Sequence, residues 1–362
     1  MKKIIFVHLL NDFSGSPKVL SQVIESAQNN GRDIELYTGK SSSGFLSNLT
    51  KKHHFYFYKR FENKYFTLVT FLLSQTILFF KLLKYFNKDI VIYVNTMLPF
   101  GAGLAGWVMK KPVYYHIHET YLSPTSLKYF LRSIIKISTT KIIFVSESVK
   151  ELESFQNKEQ LVIYNSVPQD FVINADKKDY IDKNKSGFNV LMISSLKSYK
   201  GVNEFIALAQ LLLSNSDITF TLVLNAEKSE IDNYFSNFKF PSNIALFPQQ
   251  SNVFEFYAKS NLLLNLSKID ECVETFGLTI IEAMSFGVPV IVPPVGGPTE
   301  IVREGVEGYL ISSYKVDEIA QKIMKLSKDE KEYLRLSKNA KKRSLDFNEN
   351  VFQTKILKLL NA

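Results

Sequence analysis

Short runs of aliphatic, β-branched and aromatic residues recur along the chain, separated by stretches whose apolar residues follow helical spacing. In the first half these runs fall at 2–9, 33–39, 54–60, 89–95, 112–118, 141–146 and 161–167. Several, such as DIVIYVN (89–95) and KIIFVS (141–146), are apolar without alternation, the pattern of strands covered on both faces. Strands alternating with helices predict βαβ units and a doubly wound parallel sheet. The pattern lapses from Pro168 to Gly187, which is polar, charged and without a clear period, and reads as a linker. It resumes with runs at 188–196, 219–225, 243–248, 261–267 and 289–295, and three helical stretches fill the chain from Lys315 to its end. The reading is an α/β chain of two Rossmann-like domains, 1–167 and 188–362, with a last helix able to pack back on the first. Ligands of open α/β sheets bind at the carboxyl ends of strands, so a cleft between two facing domains is the expected site.

Length agrees, since 362 residues exceed one ordinary core. A single cysteine, Cys272, excludes an internal disulfide framework and suits a reducing cytosol. The apolar opening from Ile4 to Leu10, broken by His8 and followed by no small-residue cleavage site, reads as a first strand rather than a leader. The net charge of +9 is uneven: residues 1–186 hold 25 Lys and Arg against 15 Asp and Glu, and the remainder 19 against 20. A basic first half points to an anionic partner. No nucleic-acid motif is visible, so an anionic membrane surface is the better match. Within that half, Tyr65 to Phe86 is very apolar, and the 15 residues from Phe66 to Phe80 carry no charge. That run is shorter than the ~20 residues of a bilayer span, leaving a buried domain helix or an interfacial helix as the main readings.

The chemistry concentrates between Glu274 and Gly308. Glu274 stands in a loop and Glu282 on the helix that follows, with Gly277 near the helix start. Bare amides and the helix dipole there favour a diphosphate. A nucleotide sugar carries hydroxyls on both sides of its diphosphate, and two carboxylates flanking such a helix match that layout. Lys200, after the run 188–196, lies where an ammonium could neutralise a departing diphosphate. His116 and His118 fall on one face of the run 112–118, and Gly15 and Pro17 follow the first run in a loop that lacks the full dinucleotide fingerprint. No Asp-x-Asp pair, zinc-ligand spacing, nucleophile elbow or phosphate-binding lysine loop occurs.

The sequence Glu274-Thr-Phe-Gly277, Glu282-Ala-Met284, Gly287-Val-Pro-Val290, Gly296-Gly-Pro-Thr-Glu300 and Gly308 resembles the signature of the family 4 retaining glycosyltransferases, the glycosyltransferase group 1 type. With the order of strands, the likeness covers most of the chain. It implies a GT-B fold and transfer of a sugar, with retention, from a UDP- or GDP-linked donor to a saccharide or lipid-linked saccharide acceptor, in surface polysaccharide biosynthesis. It places Glu274 on the donor sugar's hydroxyls, Glu282 on the ribose and Lys200 on the diphosphate. Thr275, Phe276, Gly277 and Leu278 belong to the donor site, with Gly15 and Ser16 assigned to it from a loop near the donor diphosphate or acceptor. His118, rather than His116, lies by the sugar, and Asn95 and Thr96 line the acceptor side. The family pattern has an arginine where this chain has Ser195, and Lys197 is the candidate substitute, with a non-bidentate reach. No metal and no cofactor are implied, and the expected location is cytoplasmic, peripheral on the inner face of the membrane. The alternatives are a nucleotide-sugar epimerase or phosphorylase on this fold, or a non-catalytic partner subunit.

Overall fold

The computed structural model describes residues 2–40, 43–177, 187–236 and 238–361; most of the charged half of the expected linker, residues 178–186, lies outside them. The chain divides into two compact units, one of Met1–Tyr164 with Phe352–Ala362 and one of Asn165–Val351.

The first unit contains β1 (Lys3–Val7), α1 (Gly15–Asn29), β2 (Ile34–Gly39), β3 (His53–Tyr56), α2 (Lys64–Leu82), β4 (Ile90–Asn95), α3 (Phe100–Val108), β5 (Val113–Ile117), α4 (Thr125–Ser138), β6 (Lys141–Phe144), α5 (Glu147–Glu153) and β7 (Glu159–Val162). Its seven strands form one parallel sheet in the order β3-β2-β1-β4-β5-β6-β7. Every residue of β2, β4 and β5 is buried, which is why those runs show no polar alternation. The chain's last residues return to this unit, where the Arg32 guanidinium donates to the Leu360 carbonyl at 3.0 Å and to the Asn361 side chain.

The second unit contains α6 (Gln169–Lys177), β8 (Phe188–Ser194), α7 (Val202–Leu211), β9 (Ile218–Leu224), α8 (Lys228–Tyr234), β10 (Ile244–Phe247), α9 (Phe254–Lys259), β11 (Leu262–Leu264), α10 (Leu278–Ser285), β12 (Val290–Val292), α11 (Pro298–Ile301), β13 (Gly308–Leu310), α12 (Val316–Lys328) and α13 (Glu330–Ser344), and α14 (Glu349–Asn361) carries the chain back. Its six parallel strands run β10-β9-β8-β11-β12-β13. One apolar core joins β8, β9 and β11 to α7 and α12 through residues such as Val190, Phe205, Phe220, Leu264 and Ile323. In both sheets strand order reverses beside the first strand of the unit, at β1/β4 and at β8/β11. Such switch points open a crevice at the strand carboxyl ends.

Helix α2 is patterned unusually. Asn63 caps it by accepting from the Tyr65 amide at 2.9 Å. Its buried stripe is Phe71, Ser74, Gln75, Leu78 and Leu82, so two polar residues face the protein. Both are satisfied: Ser74 Oγ donates to Phe71 O, and Gln75 Oε1 accepts from the Gly101 amide at 3.1 Å, tying α2 to α3. The outward face is apolar, with Phe66 63% and Phe80 65% exposed alongside Tyr65, Val69, Leu72 and Leu73. Continued by a turn of 3₁₀ helix, the segment Lys64–Tyr85 is long and apolar enough to cross a membrane by length and composition, longer than its uncharged stretch alone indicates. Neither a fully buried helix nor one free of the protein describes it: one face packs into the unit and the other is exposed.

Candidate active site

In the second unit, three loops leave adjacent strands at the same edge of the sheet. The loop after β8 carries Lys200 in a 3₁₀ turn that Gly201 closes at φ +79°. The loop after β11 carries Asn265, Ser267 and Glu274. Lys200 Nζ lies 2.7 Å from Glu274 Oε2. The same oxygen accepts from Ser267 Oγ at 3.1 Å and Asn265 Nδ2 at 3.3 Å. Burial disfavours both charges, yet each outweighs it for the other: the Glu274 carboxyl is held below its ordinary range and the Lys200 amine above its own. A half-buried cation and anion therefore meet at the carboxyl ends of β8 and β11.

The loop after β12 fixes this arrangement from below. Gly297 donates its amide to Glu274 O at 3.0 Å. A Cβ on Gly297 would stand 2.2 Å from Thr275 O, so only glycine lets the two loops meet. Gly277 caps α10 at φ +100°, and a Cβ there would lie 3.7 Å from Glu274 Cγ, so the carboxylate stands beside the helix N-terminus. The first-turn amides of a helix can receive an anion. Phe276 is buried edge-on to Phe347, so only its backbone can contribute to ligand binding, while Thr275 and Leu278 are half-buried. Further along α10, Glu282 is buried and accepts from Tyr257 OH at 2.6 Å. Burial and then that carboxylate hold the Tyr257 phenol far above its ordinary range, so it stays protonated and keeps donating.

Ser195 is half-buried in the Lys200 loop, where its carbonyl accepts from the Lys197 amide at 2.8 Å. Lys197 is exposed, and among the described residues it makes no ion pair.

The first unit gathers a second cluster at the ends of β1, β4 and β5. Asn95, fully buried, accepts through Oδ1 from His118 Nε2 at 2.9 Å and donates through Nδ2 to Ser16 O at 3.0 Å. His8 Nδ1 lies 3.2 Å from the Asn95 carbonyl. Burial first, then His116 and His8, hold the His118 imidazole well below its ordinary pKa, so it is neutral at pH 7. His116 is fully buried, lies 2.9 Å from Tyr93 OH through Nδ1, and is brought by burial to about 3. His118, one step past the strand end, is the half-exposed member of the pair. Thr96 takes φ +72°, strained for a β-branched residue. The turn is held by the Glu119 carboxylate, which accepts from the Met97 amide at 2.7 Å and the His118 amide at 3.1 Å. Burial raises Glu119 to about 7 against those two bonds. Gly15 opens α1 in an exposed position, with Ser16 next to it.

The structure thus collects Lys200, Glu274 and the start of α10 in one place, with Glu282 further along that helix, and His118, Asn95, Thr96 and Ser16 in another. Sequence reading missed Asn265, Ser267, Tyr257 and Glu119. The first two end the run NLLLNLS, and polar residues closing an apolar strand were the available signal. Among the described residues, no group of three or more His, Cys, Asp or Glu is placed to hold a metal ion.

The profile of the family Glycosyl transferases group 1 matches residues 174–343. N-acetyl-alpha-D-glucosaminyl L-malate synthase of Bacillus anthracis is 28% identical over 51% of this chain and 49% of its own, so the chain matches about half the length of that relative. The capsular polysaccharide biosynthesis glycosyltransferase CapM of Staphylococcus aureus is 26% identical over 76% of this chain and 77% of its own. An N,N'-diacetylbacillosaminyl-diphospho-undecaprenol alpha-1,3-N-acetylgalactosaminyltransferase of Campylobacter jejuni is 26% identical over 64% of each. The fold matches that of HepE from Anabaena, solved in complex with UDP and glucose, with TM-score 0.81 and 19% identity over all of both chains. Two Rossmann-like units of parallel sheet, the glutamate and glycine pattern from Glu274 to Gly308, and the profile match that contains it lead to one conclusion: residues 174–343 carry the sequence pattern of the glycosyl transferases group 1 family.

Proposed function

We propose that the protein is a metal-independent, retaining glycosyltransferase that takes a sugar from a UDP- or GDP-linked donor and passes it to a lipid-linked saccharide at the inner face of a membrane. The observation that carries this reading is the Lys200–Glu274 pair, 2.7 Å apart beside the N-terminus of α10. In the proposal, an arriving diphosphate takes the Lys200 ammonium and the helix amides, which frees the Glu274 carboxylate to accept from the sugar's hydroxyls. Glu282 accepts from the ribose, with Tyr257 steadying its carboxylate. The bond between the anomeric carbon and the phosphate oxygen breaks as the acceptor hydroxyl attacks the same face. The acceptor's proton passes to the departing phosphate, whose growing charge Lys200 stabilises. No protein nucleophile is required. His118, Gly15 and Ser16 serve the donor and Asn95 and Thr96 the acceptor side; Lys197 stands in for the absent arginine.

The lipid-linked acceptor is supported by two observations. The Campylobacter relative is named for an undecaprenol-linked acceptor, and α2 exposes an apolar face with Lys59, Arg60 and Lys64 exposed near its start. Apolar side chains entering the interface and cations near anionic headgroups both favour membrane binding. CapM's role in capsule synthesis supports surface polysaccharide as the product.

The test is release of UDP or GDP from its sugar conjugate in the presence of chelator. Release that requires a lipid-linked saccharide supports the proposal. Interconversion of the donor without any acceptor would make the protein an epimerase, and loss of activity in chelator restored by magnesium would remove metal independence.

A further inference from the structure

The cluster at the ends of β1, β4 and β5 contains one amide whose surroundings fix its orientation. Asn95 is fully enclosed, so its amide group has no solvent alternative. The Ser16 carbonyl, 3.0 Å from Asn95 Nδ2, can only accept. Turning the amide over would set two acceptors against each other in a dry site. His8 does not alter this, because its Nδ1 lies 3.2 Å from both the carbonyl and the amide nitrogen of Asn95 and can serve either tautomer. Oδ1 must therefore face His118, and Nε2 of His118, 2.9 Å away, must carry the proton. A neutral imidazole protonated at Nε2 leaves Nδ1 as a bare acceptor, and among the described residues no group hydrogen-bonds to it.

We infer that Asn95 is a positioning residue that locks His118 in the Nε2–H tautomer, so that Nδ1 accepts a hydrogen bond from a substrate hydroxyl. An unprotonated nitrogen attracts a hydroxyl and repels a phosphate or carboxylate oxygen, which also can only accept. The same amide ties this choice to the start of α1 through Ser16, so the loop bearing Gly15 and the imidazole are bonded to one side chain. The hydroxyl's identity as a sugar hydroxyl rests on the proposed glycosyltransferase function; the tautomer does not.

The test is nitrogen NMR of the full-length chain labelled in histidine, with His118 assigned from a His118→Gln sample. The expected result is a proton on Nε2, an Nδ1 resonance in the unprotonated range, and no change from pH 5.5 to 8. Asn95→Asp keeps an acceptor at the same place but adds a charge, so His118 should retain Nε2–H and begin to titrate within that range. Asn95→Ala should yield a mixture of tautomers in a protein whose circular dichroism matches the parent. A proton on Nδ1 in the parent, or a charged ring at pH 7, overturns the inference without any variant. So does an unchanged His118 spectrum in Asn95→Ala. None of these readings uses a nucleotide sugar, so failure of the proposed reaction and failure of the tautomer lock are seen in different experiments.

Discussion

Replacing Lys200 with alanine leaves Glu274 as a carboxylate whose remaining partners are Asn265 Nδ2 at 3.3 Å and Ser267 Oγ at 3.1 Å. Breaking a fully enclosed ion pair by removing one member costs about 3–5 kcal/mol. Lys200 and Glu274 keep 23% and 15% of their side-chain surface, so solvent screening lowers the expected cost to about 2–3 kcal/mol. For a unit of this size that is a fall in Tm of about 4–12 °C. The sign with pH follows from the carboxylate. Held below its ordinary 4.5, Glu274 contributes stability that is present above that pH and lost as pH falls through its folded value. In Lys200→Ala burial is no longer outweighed, the carboxyl rises, and protonation relieves it. The gap in Tm between parent and variant should be widest at pH 7 and shrink as pH falls through the variant's raised carboxyl value and on below 4.5. Differential scanning calorimetry at both pH values measures it. Adding Glu274→Gln to Lys200→Ala removes the stranded charge and should recover at least half of the loss. A gap independent of pH, or a double variant no more stable than Lys200→Ala, would refute the coupling argued here.

Glu274→Ala should slow turnover about 10- to 150-fold, from loss of a charged hydrogen bond of about 1.5–3 kcal/mol, with affinity for the bare nucleotide diphosphate nearly intact; steady-state kinetics beside calorimetry separate the two. Glu119, raised to about 7 by burial, binds a proton more tightly folded than unfolded, so the first unit should lose stability as pH rises from 4.5 to about 7, by no more than about 3 kcal/mol. Glu119→Gln should flatten that slope in a denaturant titration series, and an unchanged slope assigns it to another group. Binding to anionic vesicles should weaken but persist at high salt, and replacing Phe66 and Phe80, both exposed, with serine should remove the persistent part without lowering Tm. Co-sedimentation that ignores those replacements removes α2 from the membrane contact.

Much of the fold was legible because buried parallel strands write themselves as unbroken apolar runs. The exceptions follow from length and context. β13 is three residues opening on Gly308, too short to register, and is a strand because it pairs with β12 in register Val290↔Gly308. The run 161–167 is strand only through Val162. Gln169–Lys177 is helical although it reads as irregular, with Phe171 and Ala175 buried one turn apart and Ile173 exposed. At the site, strand-end placement was readable but contact was not. Lys200 and Glu274 are 74 residues apart in sequence, and only the adjacency of β8 and β11 in the sheet makes them an ion pair. Alternation set His116 and His118 on one face; that one is enclosed by Tyr93 and the other bonded to Asn95 depends on where β5 stops.

The most direct test of a nucleotide-sugar enzyme is calorimetric titration of the full-length chain with UDP and with GDP, repeated on Glu282→Ala. The account predicts saturable binding of one of the two nucleotides at one site. It also predicts a loss of about tenfold or more in Glu282→Ala, the equivalent of about 1.5 kcal/mol for one charged hydrogen bond to the ribose. Absence of binding by both nucleotides and their glucose or mannose conjugates, or full affinity in Glu282→Ala, would contradict it.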